Sequence, residues 1–219
     1  MGYRTSAFAL ALLLFSGAPS LASDETEAVQ SVFSAYRSAI LSDDGETAAA
    51  LVNRATLEYY DETRRMALFA DAGAVEEQSL VTQIQILTYR LRYPREILES
   101  LSPKQLMAYA VDQGWVGKSS VLKLQPGSVL AEGDVALMHI VVDGKELDLG
   151  FRLEREAGAW HLNLLETLQI ANASFQMAAK QQGVSEKDLL LVMMESVLGR
   201  KIGDEAWQPL ETEAPAKRE

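Results

Sequence analysis

The sequence predicts an α+β fold: N-terminal helices packed on a curved, four-stranded antiparallel meander, followed by C-terminal helices. Two observations carry this. Apolar residues recur with a helical period as far as Gly114, and after Trp115 the period falls to two. The alternating runs are then separated by the turn dipeptides Pro126-Gly127, Gly133-Asp134, Asp143-Gly144 and Ala157-Gly158, before helical periodicity returns at Ala171. Helices first and then consecutive strands joined by tight turns is the α+β pattern, not the alternation of a parallel sheet.

Taken in order, "MGYRTSAFALALLLFSGAPSLAS" has one basic residue, Arg4, an apolar run from Ala7 to Phe15, and the helix breakers Gly17 and Pro19. Ser20 and Ala22 are small residues at the spacing a signal peptidase reads, so residues 1–22 are expected to be a signal peptide and the chain periplasmic. Nine apolar residues are too few for a membrane span, which takes roughly 20, and no later stretch is long enough. The next helix places Val29, Val32, Phe33, Tyr36 and Ile40 on one face, with Ser23 or Asp24 as its cap. "SDDGE" ends it at a glycine. A short helix follows through Ala48, Leu51 and Val52, and a third runs from about Ala55 to Phe69. "ADAGA" (residues 70–74) reads as a loop. The segment Val75–Arg92 fits helix or strand, and its length favours helix. In "SPKQLMAYAVDQG", Ser102 is an N-cap, Pro103 sits at N1, Gln105 closes a capping box and Gly114 stops the helix.

The strands are expected at Val121–Gln125 with Ser128–Ala131, Val135–Val142, Leu147–Arg155 and Trp160–Leu165. Helices are expected at Ala171–Gln181 and, capped by Ser185 and stopped by Gly199, at Glu186–Leu198. The domain reading is a cone-like unit over 23–170, a helical extension over 171–203 and a flexible tail over 204–219. In the last helix Leu189, Leu190, Met193, Met194 and Val197 make a stripe that Leu191, Val192 and Leu198 broaden. It is therefore expected to cover the domain's open end or meet a partner.

Composition excludes several function classes. At 219 residues, 48% hydrophobic and 23% charged, the chain is long enough to bury a core. It has no cysteine, hence no disulfide or thiolate chemistry. The net charge of −11 argues against nucleic acid and anionic membrane surfaces as partners. No metal-ligating spacing, nucleophile elbow or glycine-rich phosphate loop occurs, so no metal or cofactor is expected. The basic group Arg90, Arg92, Arg95 and Lys104 could receive an anion, but solvated helix-end charge is the favoured reading.

The one catalytic arrangement the sequence offers is a histidine with an opposed carboxylate. A two-residue turn at Asp143-Gly144 sets His139 opposite Asp148, the parts of a general-base pair. The same register puts His161 opposite Glu154, and both histidines share a polar sheet face with Arg152. A cross-strand surface pair is the favoured reading of both. The opposite face collects Met138, Ile140, Leu149, Phe151, Trp160, Leu162 and Leu164.

The helices, the "SDDGETAAALV" stretch leading to Tyr59-Tyr60, the "GDVALMHIVVDG" strand and the closing "FRLEREAGAWHLNLL" resemble the nuclear-transport-factor-2-like cone fold over about Glu25–Leu168. The resemblance implies a curved sheet wrapped on helices around a concave pocket. Its members include isomerases, dehydratases and non-catalytic binding modules, so fold alone does not give activity. The catalytic members place an Asp or His beside a Tyr in the pocket. Here the residues implied for the concave face are not titratable, and the polar handles are tyrosines: Tyr36, Tyr59, Tyr60 and Tyr109. The expectation is a non-catalytic protein binding a small apolar ligand through Tyr36, Tyr60, Met138, Phe151 and Trp160, or binding a partner protein or a second copy. The alternative is an isomerase or lyase using tyrosine with Asp61 or Glu58.

Overall fold

The computed structural model describes residues 20–210 apart from residue 117. The expected signal peptide lies outside the described residues except for its last three, whose backbone is helical. The fold is α+β, with helices first, a four-stranded antiparallel sheet in the order β1-β2-β3-β4, then helices again.

The first helix, α1 (Ser20–Leu41), buries Val29, Phe33, Tyr36 and Ile40, the face its periodicity predicts. Ser23 and Asp24 lie inside this helix and do not cap it. The "SDDGE" turn works differently from the expected glycine stop. Asp43 takes the left-handed conformation, and Asp44 caps α2 (Gly45–Ala50) by accepting from the Thr47 N–H. Gly45 opens that helix. A Cβ there would lie 2.0 Å from the Ala108 carbonyl oxygen, so glycine is what permits close packing on α7 (Pro103–Asp112).

Residues 51–53 then run beside the last strand. Leu162 donates to the Leu51 carbonyl and accepts from the Asn53 N–H, both at 2.8 Å, and Val52 pairs parallel to Leu162. Asn53 turns the chain into α3 (Arg54–Phe69) as its cap. "ADAGA" is not a loop. Asp71 accepts from the Ala74 N–H and caps α4 (Ala72–Glu76). The ambiguous segment is helical and in two pieces, α4 and α5 (Leu80–Arg92), the second capped by Ser79. A short α6 (Arg95–Ser100) follows Pro94, and α7 carries the expected capping box between Ser102 and Gln105.

The expected strand at Val121–Gln125 is instead the single turn α8 (Ser119–Leu122). Val121 is buried, and Arg37 of α1 donates to the carbonyls of Val121 (3.0 Å) and Leu122 (2.6 Å), which occupies the groups a strand would offer a neighbour. The meander is β1 (Gln125–Glu132), β2 (Val135–Val142), β3 (Lys145–Glu156) and β4 (Ala159–Asn163). Both residues of the Asp143-Gly144 and Ala157-Gly158 turns have positive φ, as a type I′ hairpin requires. After β4 the chain enters α9 (Leu165–Gln182) six residues earlier than expected, because Asn163 Oδ1 accepts from the Leu165 N–H and Thr56 accepts from the Leu164 N–H. The last helix, α10 (Glu186–Leu198), has the predicted bounds.

Two cores result. One lies between α1, α2 and the sheet, where Phe33 meets Phe151 (ring centroids 4.9 Å) over Met138, Leu153, Trp160 and Leu162. The other lies among α3, α5, α6, α7 and α10, with Tyr60 packed against both. The expected flexible tail is corrected over its first part. A 3-10 turn at Asp204–Trp207 carries Trp207, only 5% exposed, into the helical core. Buried Arg90 donates to the carbonyls of Met66, Ala67 and Ala70 at the end of α3 and to that of Ala206. It therefore fastens this turn to α3, and is not a solvated helix-end charge. Burial lowers its pKa to about 10, which leaves it cationic at neutral pH.

Candidate functional site

His139 does not face Asp148. The register runs as expected from Val142↔Lys145 to Ile140↔Leu147 and then shifts, so that His139 pairs with Gly150 and Met138 with Phe151. Asp148 and Leu149 are the two residues of β3 pushed out of the ladder. Asp148 is exposed, and Leu149, placed on the apolar face by its alternation, is 45% exposed. The cause is Gly150. A Cβ there would stand 2.0 Å from the Met138 carbonyl oxygen, so β2 and β3 approach more closely than any other residue allows.

The carboxylate that does reach His139 is Glu146, through a serine. Glu146 accepts from the Ser128 N–H (2.7 Å) and from the Ser128 hydroxyl (2.7 Å), and Ser128 Oγ lies 3.0 Å from His139 Nδ1. A carboxylate only accepts, so the serine's single proton goes to Glu146 and the hydroxyl accepts from His139 Nδ1–H. That order is wrong for a nucleophile, whose hydroxyl must donate to the imidazole. The two bonds from Ser128, with the charge of His139 as a lesser contribution, hold the Glu146 carboxyl below its usual range. The cluster clasps the irregularity in β1 between Pro126 and Val129.

His161 pairs with Glu154, and Arg152 with Asn163, as the alternation requires. Glu154 is already satisfied by Arg152 Nε (2.8 Å), Asn163 Nδ2 (3.1 Å) and the buried Asn53 Nδ2 (2.8 Å). These donors, Arg152 first, hold its pKa down. His161 instead donates from Nδ1 to the Ala159 carbonyl at 3.0 Å. The group ties the 51–53 segment to β3 and β4.

The residues expected to line a ligand pocket, Tyr36, Met138, Phe151 and Trp160, are buried together in the sheet core, with Tyr60 packed against them. Burial raises the pKa of Tyr60 to about 12 and raises Tyr36 as well. Neither carboxylate proposed to work with tyrosine reaches one. Asp61 pairs with Arg64 at 2.7 Å, and Glu58 pairs with Arg54 on the surface. The buried polar side chains among the described residues are Asn53, Thr56, Thr63, Arg90 and Asn163, with no carboxylate or imidazole among them.

Comparison with family models, curated proteins and solved structures finds no match.

An apolar cleft lies elsewhere, between α5 and α10. Ile84, Thr88 and Arg92, spaced four apart, form one stripe of α5. Met193, Met194, Val197 and Leu198 face it from α10, and Trp115, just after α7, closes one end. Its volume is about 190 Å³. Leu190 and Met194 anchor α10 in the helical core, while Val197 is 72% exposed at the cleft. The covering role expected of this helix is thus divided between burial and an open apolar edge. The sequence places Met193 and Met194 on the broad apolar stripe of α10, but no local pattern pairs them with α5. Among the described residues no helix is long and apolar enough to cross a membrane, and no three His, Asp or Glu side chains gather as a metal site needs.

Proposed function

We propose that the chain is an exported, non-catalytic binding protein whose site is the cleft between α5 and α10, and that it takes a small apolar ligand there. The carrying observation is the lining. Methionine, valine, leucine and isoleucine side chains surround a concavity beside a fully packed sheet core, and methionine suits a site that adapts to apolar shapes. Among the described residues no buried carboxylate or imidazole stands beside a tyrosine, which supports binding over proton transfer. The signal-like N-terminus supports export, and the cone-fold resemblance fits a superfamily rich in non-catalytic members.

The test is a titration of methyl-labelled methionine with octan-1-ol, followed by NMR. The Met193 and Met194 methyls are expected to shift saturably and the Met138 methyl to stay still. Shifts confined to Met138 and Met107 would move the site into the sheet core, and no saturable shift would overturn the reading.

A further inference from the structure

Within this apolar lining stands one charge. Arg92 lies in the last turn of α5 with its guanidinium 5.2 Å from the centroid of the Trp115 ring. Its neighbours in sequence and in space are committed. Arg90 is spent on carbonyls, Arg95 pairs with Glu99 at 2.7 Å, and Arg64 pairs with Asp61. On α10 Glu195 is taken up by Lys201 (2.8 Å) and by the Ile202 N–H. Among the described residues no carboxylate pairs with Arg92, in a chain whose net charge is −11 and where acids outnumber bases. A guanidinium held against an indole face keeps the N–H fork at its edge free, and that fork matches a carboxylate bidentately. The other polar side-chain group that α5 contributes to the cleft lining, the Thr88 hydroxyl, is used within the helix on the Ile84 carbonyl (2.7 Å).

We infer that the cleft binds a short aliphatic carboxylate, its chain between Ile84 and the α10 methionines and its head group on Arg92. The inference rests on the cleft being the site. The volume of about 190 Å³ sets the size. It falls below the roughly 300–1,000 Å³ of pockets that enclose drug-sized ligands, so a sterol or two-chain lipid does not fit inside it. Charge complementarity sets the head group, because a neutral alcohol of the same length leaves the guanidinium without a partner.

The experiment compares octanoate with octan-1-ol at neutral pH on the full chain, reading the Met193 and Met194 methyls and Trp115 fluorescence. Octanoate is expected to bind on the order of tenfold or more tightly, the range of a charge-assisted hydrogen bond. Arg92→Gln should abolish that preference, while Arg92→Lys should retain part of it. If octanoate and octanol bind the wild type equally, or if Arg92→Gln binds octanoate undiminished, the carboxylate inference fails and the cleft reading stands. If neither ligand moves the methionine methyls, both fail together. Unchanged circular dichroism and an unchanged denaturant melt in Arg92→Gln separate lost recognition from lost fold.

Discussion

The two cores of this molecule are built on different terms. Between α1 and the sheet, the apolar side chains of Phe33, Met138, Phe151, Leu153 and Leu162 carry the packing. Polar groups at its margin are satisfied, as Asn53 is by Thr56 and Glu154. The helical core buries the Arg90 guanidinium, leaves the buried Tyr93 hydroxyl without a hydrogen-bond partner, and opens at one side into the apolar cleft. A sheet fixed by register can be packed to completion, since a one-residue slip would invert its whole face. Short helices joined by links of two or three residues have no such constraint, and their contacts leave the concavity in which a ligand fits. The packed core is the scaffold and the looser one carries the candidate site.

Trp160→Ala probes the scaffold and should have the largest effect. Trp160 is buried on the sheet's apolar face, with the Arg155 guanidinium 4.3 Å over its ring on the outer side. Removing it is expected to cost roughly 3–5 kcal/mol in denaturant melts, from lost burial and the cavity left behind. A loss below about 1 kcal/mol would mean that the sheet core is not the better packed of the two.

Much of this contrast is legible in the sequence, and the rest is hidden for physical reasons. The alternation in β2 and the type I′ turns set the register, and the pairing of Arg152 with Asn163 and of Glu154 with His161 follows from them. What the alternation misses is the shift between Leu147 and Gly150. A glycine inside a strand is itself a signal of a bulge or a close backbone approach. Taken as such, it would have released Asp148 and Leu149 from the ladder. The α5 stripe of Ile84, Thr88 and Arg92 is visible as a spacing, but its partner is over a hundred residues away on α10, and no local pattern sets that contact. Nor does local pattern reveal Arg90, whose partners are backbone carbonyls of α3 and of the 3-10 turn. Trp207 stands in a polar stretch that composition alone marks as tail.

Tyr93→Phe sharpens the comparison from the other side, with a smaller effect of opposite sign. The Tyr93 ring packs on Tyr89, Tyr109 and Trp115, and phenylalanine keeps those contacts while removing a buried, unpartnered hydroxyl. Stability is expected to hold or rise by up to about 1 kcal/mol. The same hydroxyl contributes to the alkaline limb, together with those of Tyr36, Tyr59, Tyr60 and Tyr89, whose pKa values burial also raises. Burial, then Tyr60 and Tyr109, raise the pKa of Tyr93 above that of a free tyrosine, and Arg92 opposes the rise. The neutral form is thus favoured in the folded state. Its contribution is fully present below about pH 10, the unfolded value, and is lost as the pH climbs toward the folded value. Melts should be level to about pH 9 and weaken above 10, less steeply in the variant. A clear loss of stability at neutral pH on removing the hydroxyl would show the helical core to be as well satisfied as the sheet core.

The smallest effect is expected on the sheet's outer face, which belongs to neither core. His139 is half-buried there, held through Ser128 to Glu146, and Asp148 stands in the bulge away from it. His139→Ala should cost under about 1 kcal/mol, the range of a cross-strand surface pair. The Glu146 bonds to Ser128 remain in the variant, since they do not involve the imidazole. Combining it with Asp148→Ala is the decisive measurement, because the two residues share no partner. Their effects are expected to add to within about 0.3–0.5 kcal/mol. Coupling beyond that would restore the simple hairpin register, bring His139 and Asp148 face to face, and reopen the general-base reading that the Gly150 bulge closes.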